Sequence, residues 1–514
     1  MWLIILLIAL ATFFYLTGIK PIRYWEERGI PTLKAWPYFG HTISVMFQTR
    51  AMALVLDDTY NAFPEQRYVG FYNLSGPMLI IRDLELSKQI LVKEFETFPE
   101  HRTLIPEDAD PLWSKNLFAM RGGEKWQHLR STLSPAFTSS KMRMMFELMK
   151  ECSQQFSNYY SKQGGTVTVE LKDAFSRFTN DVIATTAFGI TCDSLENREN
   201  EFYIMGGKVT DFSGLKGLVF ALNALSPTIA NILKVPVFAK PVGNFFKSII
   251  KDTIQLREEK GIVRPDMIHL LMEARKGNLK NEEQKSENNK NEKKPKPKIT
   301  DEDITAQALI FFFAGFDTAS TMMSYAAYEL AVNPDVQDKL RKEVDEALKK
   351  SNGDITYEVL MGMKYLDMVV AETLRKWPPF VLVDRRAVKP FRIEPEKPGE
   401  KAFVVEPGTI CAFPVYSIQR NPDYFPNPDK FDPERFNEEN KANINPFSYL
   451  VFGMGPRNCI GARFALLEGK LIIAEIIRKF EIVPVEKTQI PLVLSNKQFN
   501  LMPDGFWLGL KPRK

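Results

Sequence analysis

The 514-residue chain has only four cysteines and four histidines. That scarcity excludes a disulfide scaffold, zinc-finger arrays and multi-histidine metal cages. Cys152, Cys192, Cys411 and Cys459 lie far apart with no CxxC pair, so reduced thiols are expected. An excess of one charge sign is also missing. The 67 basic and 63 acidic residues give a net +4, too near balance for a dedicated nucleic-acid binder, so no nucleic-acid partner is expected. Apolar residues at 45% exclude a disordered chain, and a mean hydropathy of -0.20 excludes a polytopic membrane protein. The patterns GxxxxGK[ST], GxGxxG after a strand, HExxH and GxSxG are all absent, which removes P-loop, dinucleotide-binding, zincin and serine-hydrolase readings.

One long apolar run is present, Trp2–Ile19. As a helix it is about 27 Å long, enough to cross a thin bilayer such as that of the endoplasmic reticulum. No basic residue precedes it, no small-residue cleavage site follows it, and Lys20, Arg23 and Arg28 flank its far end. Residues 1–20 are therefore expected to be a retained membrane anchor, with the body in the cytosol. Residues 21–40, with Pro21, Gly29, Pro31 and Pro37, form a helix-poor joint. Lys276–Lys298 is rich in Lys, Glu, Asn and Gln and reads as an exposed loop. Residues 66–81 read as two strands around a turn at 73–77. Helical periodicity marks 83–94, 123–160, 170–190, 240–258 and 265–276. Thr300 with Asp303 three residues on resembles a capping box. It opens a helix to about Val332, roughly 48 Å long, which should cross the centre of a large core. The expected fold class is mainly α with small β-sheets (α+β), with residues 41–514 as one catalytic domain.

The chemistry concentrates in Phe452-Gly453-Met454-Gly455-Pro456-Arg457-Asn458-Cys459-Ile460-Gly461, just ahead of a helical stretch. Gly453 and Gly455 permit a tight turn with positive φ. Cys459 sits at a helix start, where the dipole and open N–H groups favour a thiolate. Gly461 lets a flat, large partner approach the backbone, Phe452 offers an aromatic face, and Arg457 supplies a fixed cation for a carboxylate. Together these features suggest axial thiolate ligation of haem iron.

Phe452–Gly461 matches in full the FxxGxRxCxG signature, and the chain resembles the cytochrome P-450 superfamily. Further matches follow in family order. Trp126 and Arg130 form WxxxR, Ala314-Gly315-Phe316-Asp317-Thr318 resembles the oxygen-activating segment, Glu372 and Arg375 form ExxR, and Pro433-Glu434-Arg435-Phe436 is the PERF element. In detail the chain is most similar to the insect xenobiotic-metabolising clan, insect family nine. One departure is the joint, which has Gly29-Ile30-Pro31 in place of a Pro-Pro-Gly-Pro run.

The resemblance implies a P-450 fold with the long central helix across haem b, and O2 as co-substrate. It assigns Cys459 as axial ligand, Thr318 and Asp317 to proton delivery, and Gly315 to thinning the helix where oxygen binds. Trp126, Arg130, Arg385 and Arg457 are implied around the haem propionates, with Ala314, Phe452 and Gly461 against the haem; Arg386 competes with Arg385. Glu372, Arg375 and Arg435 are implied as a buried network holding the Cys loop. Substrate would meet Ile310, Phe313, Ala314, Phe380, Val381, Gln498 and Phe499, under a roof from 212–233. The apolar stretch 212–246 is expected to rest on the bilayer. Electrons from NADPH would arrive through the membrane-bound NADPH–cytochrome P-450 reductase, with cytochrome b5 as a further donor and Lys125, Arg463 and Lys470 as candidate docking cations. Alternatives at this point are an endogenous hormone or lipid hydroxylase, a haem-thiolate isomerase, and a haem-binding carrier without turnover.

Overall fold

The structure is a computed structural model and describes residues 1–74, 76–103, 105–210, 231–232, 234–264, 266–276, 299–496 and 501–513. The apolar run folds as helix α1 (Trp2–Phe14) and continues through a π turn at Tyr15–Ile19 into a 3-10 turn at Lys20–Arg23. Among the described residues, Trp2–Glu27 is the one helical stretch long and apolar enough to cross a membrane. Its inner end docks on the body. Thr17 Oγ1 lies 2.9 Å from the Tyr38 hydroxyl, and Phe14 meets the Tyr38 ring edge-on at 5.7 Å. Within the joint, Trp25 is fully buried and donates its indole N–H to the Phe71 carbonyl. Gly70 admits that indole, because a Cβ there would come within 2.4 Å of Trp25 Cγ.

Two strands form across 66–81, as expected: β1 (Tyr68–Asn73) pairs antiparallel with β2 (Gly76–Ile81). The others are β3 (Val167–Glu170), β4 (Val383–Arg386), β5 (Phe391–Ile393), β6 (Phe403–Val405), β7 (Ile410–Phe413), β8 (Phe480–Val483) and β9 (Trp507–Pro512). They make sheets of order β1-β2-β7-β4, β3-β9-β8 and β5-β6. In the first, β7 runs parallel to β2 and antiparallel to β4, which sets Cys411 opposite Arg385.

The helical period over 123–160 breaks at Pro135, which lacks the N–H a continuing helix needs. Helix α2 (Glu124–Leu133) and helix α3 (Ser139–Ser161) flank a 3-10 turn there. Helix α4 (Leu171–Ile183) runs on as a π turn to Phe188 and stops at Gly189, φ +73°. Helix α5 (Lys240–Lys260) follows. The central helix α6 (Asp301–Val332) has the expected 32 residues. Its capping box is reciprocal: the Asp303 N–H donates to Thr300 Oγ1, and the Thr300 N–H donates to Asp303 Oδ2 at 2.9 Å. Helix α7 (Lys364–Lys376) carries ExxR, and helix α8 (Ala462–Lys479) follows the Cys loop.

Buried apolar side chains form two clusters, one among the helices and one against the first sheet. The Cys loop lies on their seam: Phe452 and Ile460 pack on the helical cluster and Met454 on the sheet cluster. Residues 211–230 and 233 of the expected roof, and 277–298 of the expected loop, lie outside the described residues. Beyond that roof the reading of a bilayer-facing stretch is corrected. Val237, Phe238, Val242 and Phe246 are buried in the helical core, where Phe246 packs on Phe202 and Phe312 and Phe238 on Trp113.

Candidate functional site

The Cys loop is a turn pressed against the protein. Gly453 and Gly455 have φ of +66° and +75°. A Cβ on Gly455 would lie 1.9 Å from the Leu91 carbonyl oxygen, so only glycine allows the contact. The Cys459 N–H donates to the Phe452 carbonyl at 2.8 Å and closes the loop. At Gly461 an added Cβ would meet only Phe137, at 3.9 Å, which leaves room for a flat partner. Cys459 itself is exposed to a slot inside the molecule, with protein around it. Burial pushes its thiol up, while the Gly461 N–H and the Arg130 guanidinium pull it down. A metal cation deprotonates a coordinating thiol outright.

Three guanidiniums surround this loop. Arg457 is buried, stacks over Trp126 at 4.1 Å, and donates to the carbonyls of Pro99 (2.8 Å), Leu117 (3.1 Å) and Met120 (2.7 Å). The Trp126 N–H donates to the same Leu117 carbonyl, so Trp126 frames Arg457 and presents no donor of its own. Arg385 is 1% exposed and donates to the Asp384 and Met454 carbonyls, and its Nε has no partner. Its neighbour Arg386 points elsewhere, to Glu100 Oε2 at 3.0 Å. Arg130 donates to Asn458 Oδ1 at 2.7 Å. Burial lowers Arg385 to about 10; burial and the nearby Arg385 charge lower Arg457 to about 9. Among the described residues, neither buried arginine has a carboxylate partner. Asp384, held down to about 2 against its own burial, is engaged by His101 Nδ1 at 3.0 Å and the Arg102 N–H. Buried cations without anions, beside a thiol and an open glycine, fit a flat, metal-bearing ligand with carboxylates such as haem.

The remaining candidate residues lie on α6. Ala314 is exposed although Phe312 and Phe316 on either side are buried, and Thr318, one turn on, is half-buried. The Thr318 hydroxyl donates to the Ala314 carbonyl at 2.6 Å. Its proton is therefore committed and its lone pairs remain as acceptors. Asp317 turns away from the slot, with Oδ1 2.8 Å from Lys172 Nζ of α4. That ammonium also donates to Ser320 and Thr321.

The profile of the family Cytochrome P450 matches residues 30–509. The chain belongs to the cytochrome P450 family. It is 45% identical over 516 residues to Cytochrome P450 9e2 of Blattella germanica, covering 97% of this chain and 96% of that protein. It is 40% identical over 515 residues to Probable cytochrome P450 9f2 of Drosophila melanogaster, covering 98% of each. Cytochrome P450 6k1 of Blattella germanica is 36% identical over 499 residues, covering 96% of this chain and 94% of that one. As a P450 the chain is a haem-iron monooxygenase that uses O2, and its likeness is to the insect clan that includes family nine.

The ExxR pair of this P450 is fully buried. Arg375 Nε and Nη2 grip Glu372 at 2.7 and 2.8 Å, and Arg435 Nε approaches Glu372 Oε1 at 3.4 Å. Burial pushes the Glu372 carboxyl up, while Arg375 and the Asp432 N–H act against it. Sequence reading missed the connection from this pair to the Cys loop. Gln419, 0% exposed, takes an Arg375 bond on its carbonyl, donates Nε2 to the Leu374 and Arg375 carbonyls, and accepts the Leu450 N–H at 3.1 Å. Nothing marks one glutamine in irregular sequence as such a hub.

Other expectations for the P450 site change. Gly315 faces Ile183 of α4, where a Cβ would lie 3.1 Å from Cδ1; it permits helix–helix approach and does not open the slot. Phe313, Ala314 and Phe380 present surface, whereas Ile310 and Val381 are packed into the two cores and are not open to a ligand. Gln498 and Phe499 lie outside the described residues. Lys125 and Arg463 are exposed, but Lys470 is buried with Nζ 2.7 Å from Asp367, because α8 packs it inward, and it is no docking cation. A separate cavity of about 280 Å³, lined by Cys152, Thr185, Cys192 and Arg264 among others, shares no residue with the slot.

Proposed function

We propose that the chain oxidises lipophilic foreign compounds, insecticides and plant metabolites among them, as a monooxygenase of the endoplasmic reticulum membrane. Residues 1–20 anchor it, 21–40 form the joint, and 41–514 are one catalytic domain facing the cytosol. Electrons from NADPH reach it through NADPH–cytochrome P-450 reductase, with cytochrome b5 as a second donor and Lys125 and Arg463 on the docking face. The observation that carries the reading is the open Cys459 thiol in the loop that also holds Arg457, which like Arg385 is a buried guanidinium without a carboxylate partner among the described residues; Ala314 and Thr318 of α6 would border the same space.

Haem, when bound, supplies O2 activation and the insertion of one oxygen atom into substrate. Cys459 would supply the thiolate ligand to its iron. Arg130, Arg385 and Arg457, the last framed by Trp126, take its carboxylates, and Phe452, Gly461 and Ala314 form its walls. Glu372, Arg375 and Arg435 fix the Cys loop through Gln419. Thr318, its proton given to Ala314, accepts a hydrogen bond from water in the slot. Asp317, one residue away and held by Lys172, is the second residue assigned to proton delivery. Phe313 and Phe380 offer apolar surface with few donors, so selection among substrates is by shape and hydrophobicity.

A reduced carbon-monoxide difference spectrum of the full chain tests the thiolate assignment; an imidazole-type spectrum would overturn it. Product formation from a panel of lipophilic compounds, with NADPH and purified reductase in lipid vesicles, tests the substrate class. Turnover confined to a steroid or fatty-acid member would replace the xenobiotic reading with an endogenous one.

A further inference from the structure

We infer that Asp110 is a positioning residue that clasps two distant chain segments beside the slot and thereby sets how fast ligands enter and leave it. Asp110 is 4% exposed. Its Oδ1 accepts the N–H groups of Leu112 and Trp113 at 3.0 and 3.1 Å and caps the turn Pro111–Ser114. Its Oδ2 accepts the Phe238 N–H at 2.9 Å, 128 residues away and just ahead of α5. A serine or asparagine would cap so short a turn equally well. The second carboxylate oxygen serves the bond to Phe238, and it is kept although burying a carboxylate is costly. The same segments are tied again at the surface, where Lys234 pairs with Asp108.

The clasp reaches the slot through Trp113. That indole is 3% exposed and stands at 90° to Phe313 with ring centres 5.8 Å apart. It also meets Phe118 at 6.2 Å and Phe238 at 6.0 Å. Phe313 immediately precedes Ala314, and Phe118 is 39% exposed, so both are rings a ligand would brush past. Loosening Asp110 releases Trp113 and, with it, the orientation of both. The inference rests on the reading of the slot as the haem and substrate site.

The test follows 4-phenylimidazole binding to the full-length, haem-loaded protein by stopped-flow absorbance, with imidazole as a small control. Asp110→Asn keeps one carbonyl oxygen for the turn and sets an amide N–H against the Phe238 N–H. It should raise both the association and dissociation rates of 4-phenylimidazole about tenfold, the scale of one lost hydrogen bond to a charged group. Imidazole rates and the carbon-monoxide spectrum should stay as in the parent. Parent-like 4-phenylimidazole rates would overturn the clasp. Should Asp110→Asn fail to fold, Lys234→Glu opposes Asp108 at the surface and must accelerate the same rates; unchanged rates there overturn it equally. A parent protein without a thiolate-type carbon-monoxide spectrum would overturn the site reading instead, which separates the two failures.

Discussion

Thr318 has one proton and two lone pairs, and the fold has committed the proton to Ala314. A hydroxyl bonded back to the preceding turn is the usual fate of a helical threonine. Here the bond leaves the hydroxyl free to accept, so the common arrangement is compatible with the proposed role. Thr318→Ala should leave substrate binding and the carbon-monoxide spectrum unchanged while product per NADPH falls about tenfold, one hydrogen bond's worth. The missing electrons should appear as hydrogen peroxide in a coupled assay. Asp317 was legible beside it, but its partner Lys172 lies 145 residues away and carries no signal in a single sequence. The same limit applies to Glu372 and Arg375. Their spacing of three on a helix shows that they can meet, but only the tertiary fold shows that both are fully buried and tied to Gln419. Breaking such a pair strands a buried charge at about 3–5 kcal/mol. Glu372→Ala is therefore expected to yield chain without haem, and recovery of a normal haem-to-protein ratio would contradict the network's role.

At the scale of elements, what was readable was local. The start of α6 at Thr300, its end before Pro334, and the β1–β2 pair all follow from caps, prolines and a turn signal within a few residues. The packing role of Gly315 depends on which neighbour arrives, and that is set by the tertiary fold. The Cys loop joins both kinds of information, and its glycines differ in a measurable way. Gly453 has φ +66°, and the nearest atom to an added Cβ is 3.8 Å away; Gly455 has φ +75° and faces Leu91 oxygen at 1.9 Å. Gly453→Ala should cost only the left-handed backbone penalty, roughly 1–2 kcal/mol, and still load haem. Gly455→Ala must also displace the Gln89–Lys93 turn and should fail to load. Haem content and urea midpoints of the two variants decide the order, and equal losses would argue against the loop's seating on Leu91.

Across the whole molecule, two cores meet along the Cys loop, and on the proposed reading the scarcity of cysteine and histidine takes on a meaning: one thiolate would suffice for the iron, which leaves the histidines to structure. His41 shows how. It lies where the joint folds onto the first sheet, with Nδ1 accepting the Tyr72 N–H at 3.0 Å and Nε2 donating to the Leu33 carbonyl at 2.9 Å. Accepting the Tyr72 N–H requires the neutral ring, and burial holds its pKa below the ordinary 6.5. As pH falls through 6.5 the unfolded chain takes up a proton at this position before the folded chain does, so stability drops. The loss levels off once the folded ring also protonates, at the cost of its bond to Tyr72. His41→Gln removes that titration. Between about pH 7.5 and 5.5 the parent's urea midpoint should therefore fall further than the variant's. Parallel midpoints would show that His41 keeps an unshifted pKa and that the joint is held without it.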